Sequence, residues 1–385
     1  MSARATTRSG INKLKCEVSF HSPALRLRKR ISWASQPLLT GNLASTEGDL
    51  NLKTLSRTFV VALAIVTGPA ARAAESPSLT LIIENDSFIH YSDKHYTNGF
   101  LLSWTSAPSG GGGTMQDVAQ NIFLPADGPA QFRYGFSLGQ NIYTPTDTAR
   151  LNPDPLDRPY AGWLYLKTNL TRDTGSTLDQ ASLSLGVVGP AALGKEVQNG
   201  WHALTQGLLG GAKTRGWAFQ LDNEPALQFT EQRTWRVPLF SDGLEAEFLP
   251  EVTGALGNVF TYAGAGGAFR IGQRLGADWG PPRIQPALSG TDYVNHDALA
   301  GHDFGWYFFA GVEGRAMGRN IFLDGSTFES SRSVDKKIFV GDFNAGAALV
   351  FDWGRIAATY TNRTPEFTTQ RGDDQFVSVG LSFAL

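Results

Sequence analysis

From Ser78 to the C-terminus, apolar and small polar residues alternate with a period of two, in segments of about ten residues. The last segment shows it best: Val377, Val379, Leu381, Phe383 and Leu385 alternate with Ser378, Gly380, Ser382 and Ala384. Successive side chains of a strand point to opposite faces, so one face is hydrocarbon and the other small and polar. Leu183, Leu185 and Val187 alternate in the same way with Ser182, Ser184 and Gly186, and Phe100, Leu102 and Trp104 with Gly99, Leu101 and Ser103. Such segments fall at 78–88, 95–106, 131–143, 161–173, 178–189, 225–240, 243–256, 258–273, 304–318, 336–352, 354–364 and 375–385. The pattern predicts an all-β chain, an antiparallel transmembrane β-barrel of about twelve strands in a bacterial outer membrane. A soluble β-sandwich is the competing fold, disfavoured because the outward face of the terminal strand carries no polar residue.

Strand parity places the connections. With both termini periplasmic, 89–94, 144–160 and 190–224 are extracellular, while 107–130 and 274–303 are periplasmic and longer than the short turns expected there. Within 190–224, Leu193, Val197, Trp201, Leu204 and Leu208 recur at helical spacing, with Gln198, Asn199, His202 and Gln206 on the other face, which predicts a short amphipathic helix.

Composition narrows the picture further. At 42% hydrophobic and 18% charged residues the chain is not disordered, and its single cysteine, Cys16, permits neither a disulfide nor a cysteine metal site. Residues 1–73 hold 11 Lys/Arg against 3 Asp/Glu, so the net charge of −2 leaves about −10 for the remainder and makes nucleic acid an unsuitable partner. Lys53 and Arg57, the apolar run Phe59–Val66 and Ala71-Arg72-Ala73 form the basic, apolar and cleavage regions of a secretory signal. The apolar run is too short to span a bilayer as a helix. The expected organisation is an upstream extension over 1–50, accounted for by a mis-assigned start, a signal peptide over 51–73 and the barrel over 74–385.

Candidate chemistry begins with a decoy. Gly135-Phe136-Ser137-Leu138-Gly139 matches the nucleophile motif G-x-S-x-G, but it lies in mid-strand rather than at a strand-to-helix turn. Neutral-pH hydrolysis calls for a base titrating near 7, and the barrel has five histidines: His90, His95, His202, His296 and His302. Only His202 sits on the predicted helix among amide side chains. Its position alone is that of an ordinary helix-surface histidine.

Several blocks together carry more than any single motif. Glu84-Asn85-Asp86, Tyr96-Thr97-Asn98-Gly99, Gln140-Asn141-Ile142-Tyr143-Thr144-Pro145, Asp157-Arg158-Pro159-Tyr160-Ala161-Gly162-Trp163, Gly189-Pro190, and Glu196-Val197-Gln198-Asn199 followed by His202 resemble, in order and spacing, the outer-membrane lipid A 3′-O-deacylase family over roughly 79–385. The resemblance implies a twelve-stranded barrel that removes the 3′-linked acyloxyacyl chain of lipid A with the support of a divalent cation, calcium. It assigns water activation to His202, in a mechanism similar to that of secreted phospholipase A2, and catalytic roles to Asn85, Asp86 and Thr97. Substrate contacts fall to Arg150, Tyr143 and Arg158, and cation ligands to Asp86 and Glu196. The family's glutamate six residues after the histidine is replaced by Leu208, leaving Glu196 or Gln206 to supply that polarity. Parity independently puts Asn85, Asp86, Thr97, the 143–160 loop and His202 at one mouth. The expected partners are lipid A or lipopolysaccharide as substrate, outer-membrane lipids and the outer-membrane assembly machinery, with the barrel a monomer. An outer-membrane phospholipase and a non-enzymatic porin are the alternatives.

Overall fold

The computed structural model describes residues 76–89, 93–110, 113–205, 214–299, 301–302 and 304–385. The extension and signal peptide expected over 1–73, and with them Cys16, His90, Gln206 and Leu208, lie outside these residues.

Twelve antiparallel strands close on themselves. They are β1 (Ser78–Asn85), β2 (His95–Thr105), β3 (Gln131–Thr144), β4 (Ala161–Asp173), β5 (Thr177–Val188), β6 in two pieces (Glu224–Trp235 and Val237–Asp242), β7 (Leu244–Gly257), β8 (Phe260–Gln273), β9 (Phe304–Asn320), β10 (Phe339–Phe351), β11 (Gly354–Arg363) and β12 (Asp374–Ala384). Each pairs with its neighbours in sequence, and β1 pairs with β12 from Ser78↔Ala384 to Asn85↔Val377, so no edge is left open. Both pieces of β6 pair with β7, at Thr234↔Glu251 and again at Val237↔Phe248, which makes them one interrupted strand.

The period-2 pattern divides the wall as the sequence indicated. Phe136, Leu166, Leu256 and Val312 face outward at 55–68% exposure, an apolar surface suited to lipid rather than water. No helix among the described residues is long and apolar enough to cross a membrane.

The inward face is crowded with charge. Arg270, Arg315, Arg355 and Arg363 are all buried, and each meets a carboxylate: Asp278 accepts from Arg270 and Arg355 at 2.5 Å each, and Asp342 from Arg315 and Arg363 at 2.8 Å each. Charges inside a wall are tolerable only in such paired, hydrogen-bonded arrangements.

The long connection between β8 and β9 resolves the mismatch in loop lengths. Instead of hanging from the rim that carries the chain termini, it runs up the lumen as a plug. Asp292 accepts from Ser103 of β2 at 2.7 Å, Arg283 binds Glu84 of β1 at 2.7 Å and Asn344 of β10 at 3.0 Å, and the Pro286 carbonyl accepts from Arg363 at 3.0 Å. Glu84 stands one residue from the end of β1, so the plug reaches almost to the opposite rim. The second long connection at the terminal rim carries helix α1 (Thr114–Ile122), and the helix foreseen near His202 is α2 (Gly194–Thr205).

Candidate active site

The rim away from the termini gathers the connections 86–94, 145–160, 189–223, 321–338 and 364–373, and every site residue named from the sequence lies on or beside it. Helix α2 packs its first turn tightly against the wall: a Cβ on Gly194 would stand 2.7 Å from the Trp217 ring and 3.3 Å from the Gly162 backbone. Gln198 and His202 are buried, whereas Leu193 and Val197 are exposed. Gln198 and His202 thus turn inward to the 86–94 connection, while Lys195 and Glu196 are exposed with Val197.

His202 meets a partner that the sequence reading did not single out. Its Nε2 lies 2.6 Å from Oδ2 of Asp93, in the 86–94 connection, and Gln198, one turn earlier on α2, donates to the same oxygen at 3.3 Å. Gln198 is fixed in turn, its Oε1 accepting from the Trp217 indole at 3.1 Å, while Thr214 donates to Asn199 at 3.0 Å. The signal for Asp93 was its place in the same short connection as the Asn85-Asp86 block, but no periodicity marks it.

Asp86 sits beside this pair, nearly fully buried. Its Oδ2 accepts the Lys94 N–H at 2.7 Å, and its Oδ1 is buried without a hydrogen-bond partner among the described residues. Burial, then the neighbouring charge of Asp93, holds its carboxyl well above the usual carboxylate range. Asn85 works as a turn former: its Oδ1 accepts from the Ser87 N–H at 2.8 Å and from the Ser87 hydroxyl. Thr97 is buried at a break in the β2–β3 register between Tyr96 and Asn98, where the extra residue re-aims its side chain to pair with the Thr144 hydroxyl at 2.8 Å.

The substrate and metal candidates are dispersed. Arg150 is half exposed and pairs with Asp154 at 3.3 Å. Tyr143 is buried, stacked 3.9 Å from Phe322, and Arg158 is wholly buried over the Tyr143 ring and bound to Glu366 at 3.0 Å, an arrangement that staples two connections together. Glu196 is exposed on α2, two residues from Gln198 and so on a different face, and the structure does not bring it to Asp86. Among the described residues, no cluster of three or more His, Cys, Asp or Glu side chains stands ready for a metal.

A second histidine shares the mouth. His95, in left-handed backbone (φ 62°), has Asp374 2.5 Å from Nδ1, Thr146 3.1 Å from Nε2 and Asp157 3.7 Å from Nε2. A carboxylate near each ring nitrogen favours the doubly protonated ring, which makes His95 a clamp between connections rather than a base.

A closed barrel with a lipid-facing wall, a filled lumen and a histidine–aspartate pair at one mouth defines an outer-membrane protein with a rim site for polar chemistry. The sequence profile of the family described as outer membrane protein LpxR matches residues 58–385, and the chain belongs to that family, the deacylase family its motifs resemble. Among solved structures, LpxR from Salmonella typhimurium is similar at 21% identity and a TM-score of 0.64, covering 80% of this chain and 100% of that one. The β domain of the Bordetella autotransporter BrkA matches at 12% identity and a TM-score of 0.38, over 81% of this chain and 100% of that one. No curated protein matches. Family and fold place the protein in the bacterial outer membrane.

Proposed function

We propose that the protein is a lipid A 3′-O-deacylase that hydrolyses the 3′-linked acyloxyacyl ester in the outer leaflet, with water as the nucleophile. The observation that carries this reading is the His202–Asp93 pair, largely shielded from solvent and held by Gln198 of α2. The tight turns 174–176 and 352–353 lie on the terminal rim, which by the usual asymmetry of such barrels is periplasmic, so the site faces the leaflet that holds lipid A.

In this reading His202 takes a proton from water as that water attacks the ester carbonyl, with Asp93, 2.6 Å from Nε2, orienting the ring. The same proton then passes to the departing 3′ sugar oxygen. Asp93 fixes the tautomer and stabilises the imidazolium that forms. The products are the free acyloxyacyl acid and the 3′-hydroxyl.

A divalent cation such as calcium suits this place because Asp86 Oδ1 is a buried acceptor without a partner among the described residues, beside a second carboxylate. Asp86 and Asp93 would hold it; Glu196 would not. When bound it supplies positive charge against the oxyanion of the tetrahedral intermediate.

The test is turnover by the purified barrel in mixed micelles with hexa-acylated lipid A. Release of the acyloxyacyl acid by wild type and its loss in His202→Ala supports the reading. Release of fatty acid from glycerophospholipid alone would favour a phospholipase instead.

A further inference from the structure

Helix α1 belongs to no part of this chemistry, and its position is unusual. It lies against the outside of the barrel at the terminal rim. Phe132, Arg172, Asp179 and Arg233 are register partners in one row across β3, β4, β5 and β6. They share strand parity with the outward-facing Phe136, Leu166, Leu185 and Leu227, so this row points away from the lumen. Ala119 and Phe123 are buried on Phe132 and Ala181, with Ile122, Leu170 and Phe229 packed around them.

The three charges of the row are closed off as well. Asp179 accepts from Arg172 at 2.6 Å and from Arg233 at 2.5 Å. The residues just after α1 complete the arrangement: the Leu124 carbonyl accepts from Arg172 at 2.5 Å and from Arg233 at 2.6 Å, and the Pro125 carbonyl from Arg233 at 3.2 Å. Arg172 also lies 5.2 Å above the Phe123 ring. A helix thus covers the most highly charged row on this side of a largely apolar wall, with Glu231 a further outward-facing charge in the adjacent row.

The two flanks of α1 differ. Helical phase puts Val118 and Ile122 on one side of the wall contact and Gln116 and Gln120 on the other, with Asp117 and Asn121 opposite the wall. Val118 is 43% exposed and Leu124 64%. A helix with one face on protein, one flank apolar and the rest polar fits the boundary between hydrocarbon and headgroups.

We infer that α1 is an interfacial anchor, seated in the headgroup region of the leaflet at the terminal rim, with Val118 and Leu124 in contact with phospholipid chains. Its height sets how deeply the barrel sits. Asp179 is nine residues before Val188, the end of β5. At ~3.3 Å per residue and a strand tilt of roughly 40°, that is about 23 Å along the membrane normal, close to the apolar band of about 25 Å of such barrels. Anchoring this row at one interface therefore puts the rim that bears His202 at the other. The proposal does not depend on the deacylase reading.

Its test is spin-label accessibility in the full barrel, refolded into phosphatidylethanolamine/phosphatidylglycerol vesicles. Single cysteines replace Asp117, Val118, Asn121 and Leu124 in a Cys16→Ser background, and heat-modifiable gel migration confirms that each variant is folded. Labels at 118 and 124 are expected to collide several-fold more with oxygen than with a water-soluble nickel complex, and labels at 117 and 121 to show the reverse. Nickel access at 118 and 124 would overturn the proposal, as would protection of both from oxygen and nickel alike, which would mean that protein covers this flank.

Discussion

Asp93 reaches across from the connection after β1 and holds Nε2 of His202, on the connection after β5, at 2.6 Å. Neither residue is catalytically distinctive alone: one is a loop aspartate, the other a helix histidine with an amide one turn away. Brought together, they form the oriented base of the proposed reaction. Replacing Asp93 with Asn keeps the shape but removes the charge that fixes the tautomer and balances the imidazolium. The expected result is a fall in kcat of about 10²–10⁴-fold with KM little changed, read from steady-state release of the acyloxyacyl acid. A variant within a factor of a few of wild type would remove Asp93 from the mechanism.

Asp86 makes a prediction about cation and pH together. Burial and then Asp93 raise its carboxyl in the folded protein, so the folded state keeps a proton that the unfolded chain has released. Stability contributed by this group is present at low pH and is lost as pH rises through the folded-state value. Calcium should oppose that loss, stabilising the barrel more at neutral than at acidic pH. Thermal unfolding followed by gel migration, with calcium or chelator, measures this. Asp86→Asn should flatten both dependences, and an undiminished calcium shift in that variant would place the cation elsewhere.

Much of the fold was legible because lipid on one side and a polar lumen on the other impose strict alternation on every strand. The segments 131–143, 161–173 and 354–364 fall within a residue of β3, β4 and β11. The segment 225–240 spans the interruption at Arg236, where pairing with β7 continues on both sides. The lumen plug left no such trace. Gly280-Pro281-Pro282-Arg283-Ile284-Gln285-Pro286 has no period, and its place depends on contacts such as Arg283 with Glu84, nearly two hundred residues apart in sequence.

The candidate site was legible in part as a place in the fold. His202 and Asp86 were visible through their motif blocks, but Asp93 has meaning only once two loops meet. Arg158 and Tyr143 stood in equally marked blocks, and their motif did not reveal that they are buried, with Arg158 bound to Glu366 across two connections. The exposed position of Glu196 was within reach of helical phase, because residues two apart do not share a face.

The Arg158–Glu366 pair yields a stability prediction. Burial works against ionisation of Glu366, but Arg158 and then Arg363 outweigh it and hold the carboxyl below its usual range. Its contribution is therefore present above the unfolded-state pKa and is lost as pH falls through the folded-state value. Arg158→Ala leaves a buried carboxylate short of its closest cation and should cost about 3–5 kcal/mol. Chemical unfolding of the barrel in micelles checks the magnitude. A cost below about 1 kcal/mol would show the pair to be solvated.

The plug predicts an electrically silent barrel. With Arg283, Asp292 and the Pro286 carbonyl bound to the wall, wild type should show negligible conductance in planar bilayers, and replacement of Pro281–Ser289 by a short glycine bridge should open it. Steady porin-like conductance by wild type would contradict the filled lumen and revive the pore reading.

The central claim is that this barrel removes the 3′ acyloxyacyl unit of lipid A and that His202 is the base. The most direct measurement is mass spectrometry of lipid A from a bacterial outer membrane without such activity, after expression of wild type and of His202→Ala as folded, inserted barrels. Loss of one 3′ acyloxyacyl unit with wild type, and intact lipid A with His202→Ala, is the predicted result. Intact lipid A with both would contradict the deacylase reading, and the same loss with both would leave the reaction standing without His202 as its base.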